Sequence, residues 1–451
     1  MSGSARTGIH HVIASVVLIG TTLVGGAAVA QTSELGTGIK PGDETPHLIE
    51  LHGGLAYSDN VRRVSSGEEG DTLASVGLGI DYGFAGSRVT AAARGNLDYV
   101  EYLQNTYGGT LAGNIDAQLV WGQKSDVLQW MIEDTFGQTR SNALAGATPD
   151  NLQNVNVLST GPSLNFRFDQ TTFTLDGRYA DQSYESGNFD SKRYTGAGHV
   201  ERELSPVSNI SLNAQLDKTR FDDDVTNTDY ETRQYYLRYR SNLGRMGVIA
   251  DAGYTDVELD NAGDKNGSPL VRLDLDRRIS GSSSLFLGGS IQFLSSADAI
   301  RGDANRAVAL AGDDSDPLSA SDPFREREVH GGWRFDHSRT SFSITGTYAT
   351  ERYKQSTELD RDTWGARISA TRHIAPTVWL RGEASWDKQS YDNLAASTRD
   401  TVFSAELTKD LGTKLSATLR YEHNDRAGTG AAIDYTENVI ALYIRFAALG
   451  R

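Results

Sequence analysis

The chain has no cysteine. That removes disulfides, thiolate metal sites, cysteine nucleophiles and the acylated cysteine of a lipoprotein anchor. Beyond residue 31 no apolar run approaches the roughly 18 residues of a spanning helix, which excludes a helical inner-membrane protein. Basic charge is in deficit: 43 Lys and Arg stand against 59 Asp and Glu, and no basic patch offers itself to nucleic acid. Catalytic signatures are missing as well, with no Gly-x-Ser-x-Gly, no His-Glu-x-x-His and no glycine-rich phosphate loop. Proline is scarce, and neither a proline-rich linker nor a helical repeat divides the chain into domains.

What is present starts at the N-terminus. Residues 1–30 carry a basic residue, Arg6, then an apolar stretch over 12–29, then Ala28-Val29-Ala30 before Gln31. This is the pattern of a cleavable secretory signal, and a lone Arg does not make it a twin-arginine one. Residues 31–46, with Pro41-Gly42, read as a short flexible periplasmic leader.

From 47 to 446 the sequence is a train of segments alternating with period two. In Val378-Trp379-Leu380-Arg381-Gly382-Glu383-Ala384-Ser385-Trp386-Asp387, one face carries Val378, Leu380, Gly382, Ala384 and Trp386 and the other Arg381, Glu383, Ser385 and Asp387. The same code recurs over 172–179, 210–216, 271–276, 363–371 and 414–422. About 20 such segments of roughly 9–14 residues are present, with 18 as the alternative, each long enough to cross a bilayer at a tilt. Their connections alternate. Tight turns near 84–87, 123–125, 169–170, 205–207, 375–376 and 412–413 interleave with polar links over 58–70, 139–153, 222–229, 260–266, 295–324, 392–397 and 424–434. Short periplasmic turns and long external loops belong to an outer-membrane barrel, and a soluble sandwich has no reason to sort its loops by parity. Aromatics cluster at segment ends, Phe84, Trp121, Phe168 and Phe335 by the turns and Tyr57, Tyr102, Tyr184, Phe221, Tyr353 and Tyr391 by the loops, as two interfacial girdles would require.

A membrane gives backbone N–H and C=O groups no water to bond, so strands cross it only as a closed barrel. The fold expected is therefore all-β, a transmembrane antiparallel up-and-down barrel in the bacterial outer membrane, set among outer-membrane lipid and lipopolysaccharide, as a monomer or trimer. At this strand number the interior is too wide for side chains to fill. By parity its lumen holds Arg94, Asp98, Asp116, Arg178, Arg238, Arg240, Arg272, Asp274, Arg334, Arg367, Arg381, Glu383, Arg420 and Glu422. These line a hydrophilic path or simply neutralise one another across a wet wall. Both signs are present, so no sharp ion selectivity is expected.

Enzyme, metal and cofactor are not expected. The histidines of the mature chain are His47, His52, His199, His330, His337, His373 and His423. Asp336-His337 falls at a periplasmic turn, away from the outer rim where an omptin-like protease works, and no alternation sets a His and a Ser together on the lipid side as a barrel lipase requires. Asp313, Asp314 and Asp316 lie in the longest link, 295–324, without the spacing or closing Glu of an EF-hand. That link either folds inward as a constriction or lies outside as an acidic loop.

At Tyr57-Ser58-Asp59-Asn60-Val61, following Leu51-His52-Gly53-Gly54-Leu55-Ala56, the chain resembles the outer-membrane β-barrel porin family encoded with exopolysaccharide synthesis genes. The resemblance runs over 47–446 and implies a pore through which polysaccharide leaves, or a barrel accompanying such a machine and its periplasmic export partners. It departs from the common barrel ending, because Phe446 is followed by Ala447-Ala448-Leu449-Gly450-Arg451, an overhang over 447–451. The residues alone leave open a general diffusion porin for small hydrophilic solutes and, behind it, a barrel enzyme or structural surface protein. An aromatic ladder in the lumen would favour polysaccharide, and an eyelet made by an infolded loop would favour small solutes.

Overall fold

The structure, a computed structural model, describes residues 47–123, 125–260, 265–299 and 318–449. The signal segment and leader lie outside the described residues.

Twenty strands form one antiparallel sheet, with neighbours in sequence paired throughout. Strand β1 (His47–Ser58) pairs with both β2 (Asp71–Ala85) and β20 (Tyr435–Leu449), so the sheet closes on itself. The barrel has a radius of about 18 Å. In chain order the remaining strands are β3 (Val89–Tyr102), β4 (Thr110–Trp121), β5 (Leu128–Arg140), β6 (Leu152–Phe168), β7 (Thr171–Tyr184), β8 (Ser191–Ser205), β9 (Ser208–Phe221), β10 (Tyr230–Asn242), β11 (Met246–Leu259), β12 (Lys265–Ser280), β13 (Ser283–Leu294), β14 (Phe324–His337), β15 (Thr340–Tyr353), β16 (Arg361–Ala375), β17 (Val378–Tyr391), β18 (Ala396–Asp410) and β19 (Leu415–Thr429).

Alternation fixes which way each strand faces. Leu51, Leu55 and Tyr57 of β1, Leu212 and Leu216 of β9, and Ile440, Leu442 and Ile444 of β20 are all exposed, every second residue along the strand. A row of exposed apolar side chains around a closed sheet is a surface for lipid, and it places the protein in the bacterial outer membrane.

Three details depart from the sequence reading. Strand β19 runs on to Thr429, so the link expected over 424–434 shrinks to 430–434. Strand β20 continues past Phe446 to Leu449 and takes up most of the overhang. The outer aromatics divide: Tyr57 points to lipid, but Tyr102, Tyr184, Phe221, Tyr353 and Tyr391 fall on the inward parity of their strands, and Tyr102, Tyr353 and Tyr391 are buried. Above the bilayer the wall stands in water on both sides, so aromatics there are free to pack on material inside the mouth.

Candidate functional site: the lumen wall and its outer mouth

The inward face begins with the residues that alternation assigned to it. Each of the fourteen lies on the parity opposite the exposed apolar row of its strand. They are spread around the wall in separate clusters of paired charge and do not converge on one point.

The most connected cluster crosses β10 to β14. Asp251, whose side chain has 0% exposure, accepts from Arg238 Nε and Nη2 at 2.7 and 2.8 Å and from Arg272 Nη1 at 3.3 Å. Arg272 Nε also donates to Gln292 Oε1 at 2.7 Å, and Gln292 donates on to Glu326 at 3.1 Å. Both guanidiniums lie within 5.6 Å of the centre of the Tyr236 ring. Arg334 stacks over Phe286 at 4.3 Å. Asp274 faces inward on β12, opposite Gly288, and Arg240 follows Arg238 by one inward position. Burying one carboxylate between two guanidiniums is favourable only because its oxygens are fully bonded, as they are here.

On β16 to β19, Glu383 lies 3.3 Å from Arg367 and 3.0 Å from Arg381, and Arg420 lies 3.5 Å from Glu406 and bonds Glu422. On β1 to β4, Asp98 meets His52 at 2.7 Å, Arg94 reaches Asp81 at 3.2 Å, and Asp116 is the register partner of Arg94. On β6 and β7, Arg178 is held by Asp176 at 3.0 Å, the Ser163 hydroxyl at 2.6 Å and the Pro162 carbonyl at 2.5 Å. Alternation could also have named Asp251, Glu326, Asp81 and His52, which share parity with their strands' other inward residues.

Sequence reasoning offered the inward fold of the 295–324 link as one of two alternatives and missed the β5–β6 loop. Both segments contribute to the outer mouth. The β5–β6 loop, 141–151, is built around Asn151, whose amide donates to the carbonyls of Asn142 and Gly146 and accepts from the Asn142 N–H. It leans over the mouth toward the β19–β2 side of the wall, where Arg426 Nη1 donates to Ala145 O at 2.7 Å and Arg63 Nη1 to Ala147 O at 2.9 Å. Those arginines are themselves fixed, Arg426 by Asp400 and Arg63 by Glu437 at 2.9 Å. The second segment is the β13–β14 link. Its start forms a single helical turn over 296–299, in which Ala297 packs on Val155 and Val157 of the inner wall and Asp298 meets Arg193 at 2.5 Å. Its end, Leu318, joins Ala143 and Leu144 of the β5–β6 loop against Tyr391 and Ala396. The Ser296 hydroxyl ties the two ends together, accepting from Ala320 N–H and lying 2.8 Å from Leu318 O. Both described ends of the link therefore turn inward. Asp313, Asp314 and Asp316 lie outside the described residues.

Beside the mouth, Asp322 accepts from the N–H groups of Gln355 and Ser356, and burial nonetheless raises its carboxyl above the ordinary aspartate value.

Among the described residues no three His, Asp or Glu side chains gather as metal ligands would. His337 ends β14 at a short turn. His423 faces lipid with Nδ1 2.9 Å from Asn438 Oδ1, two of the three residues a barrel lipase uses, but the residue opposite it on β18 is Phe403, which offers no nucleophile.

No family model matches the chain, and no curated protein does. Among solved structures it is similar to the siderophore receptor PirA of Pseudomonas aeruginosa, at 10% identity and a TM-score of 0.44, covering 90% of this chain and 81% of that one. It is similar also to the FrpB iron transporter of Neisseria meningitidis, at 6% identity and a TM-score of 0.45, covering 89% and 82%. Likeness at this level says nothing of the solute. The closed, apolar-skinned sheet itself makes the chain a 20-stranded outer-membrane β-barrel.

Proposed function

We propose that this barrel is a channel for small hydrophilic solutes, with solute size set at the outer mouth by the β5–β6 loop and the two ends of the β13–β14 link. The observation that carries the reading is the meeting of Leu144, Leu318 and Tyr391, which come from a loop, a link and the opposite wall. At a radius of about 18 Å an unobstructed bore would pass large solutes. Segments bonded across that bore act as an eyelet. Below them the paired charges of the wall keep the path wet without a strong net field of either sign.

A second reading, export of exopolysaccharide or an accessory role in such a secretion system, follows from the resemblance around Tyr57–Val61. What favours it is the half-buried Phe286 ring on the wall with the Arg334 guanidinium beside it. Such faces stack on sugar rings and such donors hold acidic sugars.

Single-channel conductance of the purified barrel in planar bilayers tests both, with neutral and acidic oligosaccharides of graded length. A small-solute channel gives stable openings that short sugars perturb and long ones do not enter. A polysaccharide conduit is blocked for longer as chain length grows. A silent bilayer from a folded, heat-modifiable barrel would sink both.

A further inference from the structure

The wall is not uniformly zipped. Strands β3 and β4 stay in register up to Val100–Thr110, and β5 and β6 up to Arg140–Leu152, but β4 and β5 part above Ile115–Phe136. Residues 110–114 of β4 and 137–140 of β5 thus face each other without a ladder, in the extracellular half of the barrel. Gly113 sits at the parting with φ of +127°, a conformation side chains rarely adopt, and a Cβ there would come within 2.2 Å of Asn96 O. The gap is bridged by a side chain: Gln138 Nε2 donates to Leu111 O at 3.3 Å. Above it, Ser319 N–H caps the free edge by donating to Arg140 O at 3.1 Å.

The lipid side of this seam is polar. Asp134 shares the outward parity of Trp130 and Ile132 and is in register with Ala117 and the exposed Leu158. It stands two outward positions above Trp130, a rise of roughly 10 Å along a tilted strand. Other outward charges, such as Asp181, Lys218, Asp256 and Lys388, lie nearer the outer ends of their strands. Asp134 accepts from Asn156 Nδ2 at 2.9 Å, and Gln138 and Asn154, joined at 3.1 Å, continue the polar strip upward. A second interruption, above Val271–Ile291, has Pro269 in its strand to account for it and no outward carboxylate on either of its two strands.

A carboxylate turned toward hydrocarbon is unfavourable unless something polar covers it. We propose that the β4–β5 seam is a lateral binding site for an amphiphile with a neutral, hydroxyl-rich headgroup. Asp134 accepts from the hydroxyls, Asn156 donates and accepts and Gln138 accepts beside it, and the tail stays in the surrounding lipid. The carboxylate disfavours a phosphate, and three amides with one acid match the mixed donors and acceptors of a sugar. The site is on the outside of the wall and does not depend on passage along the axis, so a barrel that conducts nothing would leave it standing.

The test uses dodecyl maltoside as probe. The purified barrel in dodecylphosphocholine is titrated with maltoside, and retained molecules are read by native mass spectrometry. Wild type is expected to retain maltoside saturably, and Asp134→Leu with Asn156→Leu to bind about tenfold more weakly, the loss of one charge-assisted hydrogen bond. Because both changes place apolar groups on a lipid-facing wall, the variant should remain a heat-modifiable barrel. Equal retention by the two proteins would mean an adventitious additive only and would overturn the proposal. So would a wild-type oligomer that the variant dissociates, which would assign the strip to a second copy of the chain.

Discussion

Freeing the β5–β6 loop should widen the channel. The perturbation is Arg63→Ala with Arg426→Ala, removing the guanidiniums that donate to Ala147 O and Ala145 O. Each charge-assisted bond is worth about 1.5–3 kcal/mol, so the pair contributes about 3–6 kcal/mol, or roughly 10²–10⁴ in the docked-to-free ratio. Against this stands the burial of Leu144 on Tyr391, about 1.5–3 kcal/mol for a leucine. The double variant should therefore leave a loop that samples both states, and Leu144→Asn added to it should leave one that is mostly free. Removing Arg426 alone would take the guanidinium from Asp400, whose side chain is only 4% exposed, at a cost of about 3–5 kcal/mol. Asp400→Asn is included so that damage to the wall is not mistaken for release of the loop. In planar bilayers, unitary conductance should rise from wild type to the Arg63/Arg426 variant and again with Leu144→Asn. Longer oligosaccharides should begin to enter in the same order. Unchanged conductance and sugar cut-off in a fully folded variant carrying all four substitutions would refute the reasoning and remove the eyelet from the account.

Other consequences are open to measurement. Asp251→Ala leaves Arg238 and Arg272 facing each other without their shared acceptor, so the barrel should lose about 3–5 kcal/mol of stability in urea and its reversal potential should move toward anions. Arg193→Ala removes the partner of Asp298 and should loosen the helical turn over 296–299, seen as faster proteolysis of the β13–β14 link in the folded barrel, with the strand core intact. Asp322→Asn bears on pH. Because its folded carboxyl binds a proton more tightly than the unfolded chain does, native stability falls as pH rises from the ordinary aspartate range through the raised value. The variant keeps an acceptor for Gln355 and Ser356 and should flatten that dependence in denaturant titrations across acidic pH.

How much of this was legible in the sequence follows from where water lies. Within the bilayer one side of the wall is lipid and the other water, so a strand such as β17 must alternate, and Val378 to Asp387 declares both its direction and its facing. Strand count and closure follow from that asymmetry, and the same rule is what assigns the set from Arg94 to Glu422 to the inward parity. Above the bilayer the asymmetry ends. The outer part of β19 sets Asn424 and Arg426 inward and Asp425 outward, polar on both faces, so alternation vanishes although the strand continues to Thr429. The same loss of contrast turned Tyr353 and Tyr391 into apparent girdle residues when they are the floor on which loops rest.

The mouth was hidden for a further reason, which is distance along the chain. Arg426 holds a carbonyl 281 residues earlier, and nothing local to either residue announces the other. A weaker signal did exist. The segment Asn142-Ala143-Leu144-Ala145-Gly146-Ala147 is apolar and small in a position where a solvated external loop would be charged, and an apolar loop needs a surface to lie on. Asp134 is the converse case, a charge on the lipid parity of its strand. Each breaks the binary pattern in the direction of its environment's opposite, and each sits where the barrel departs from a plain cylinder: the loop over the bore, the acid beside the parted strands. In a barrel whose regular wall is specified by alternation, the violations of alternation are the positions from which a passage and a lateral site can be sought.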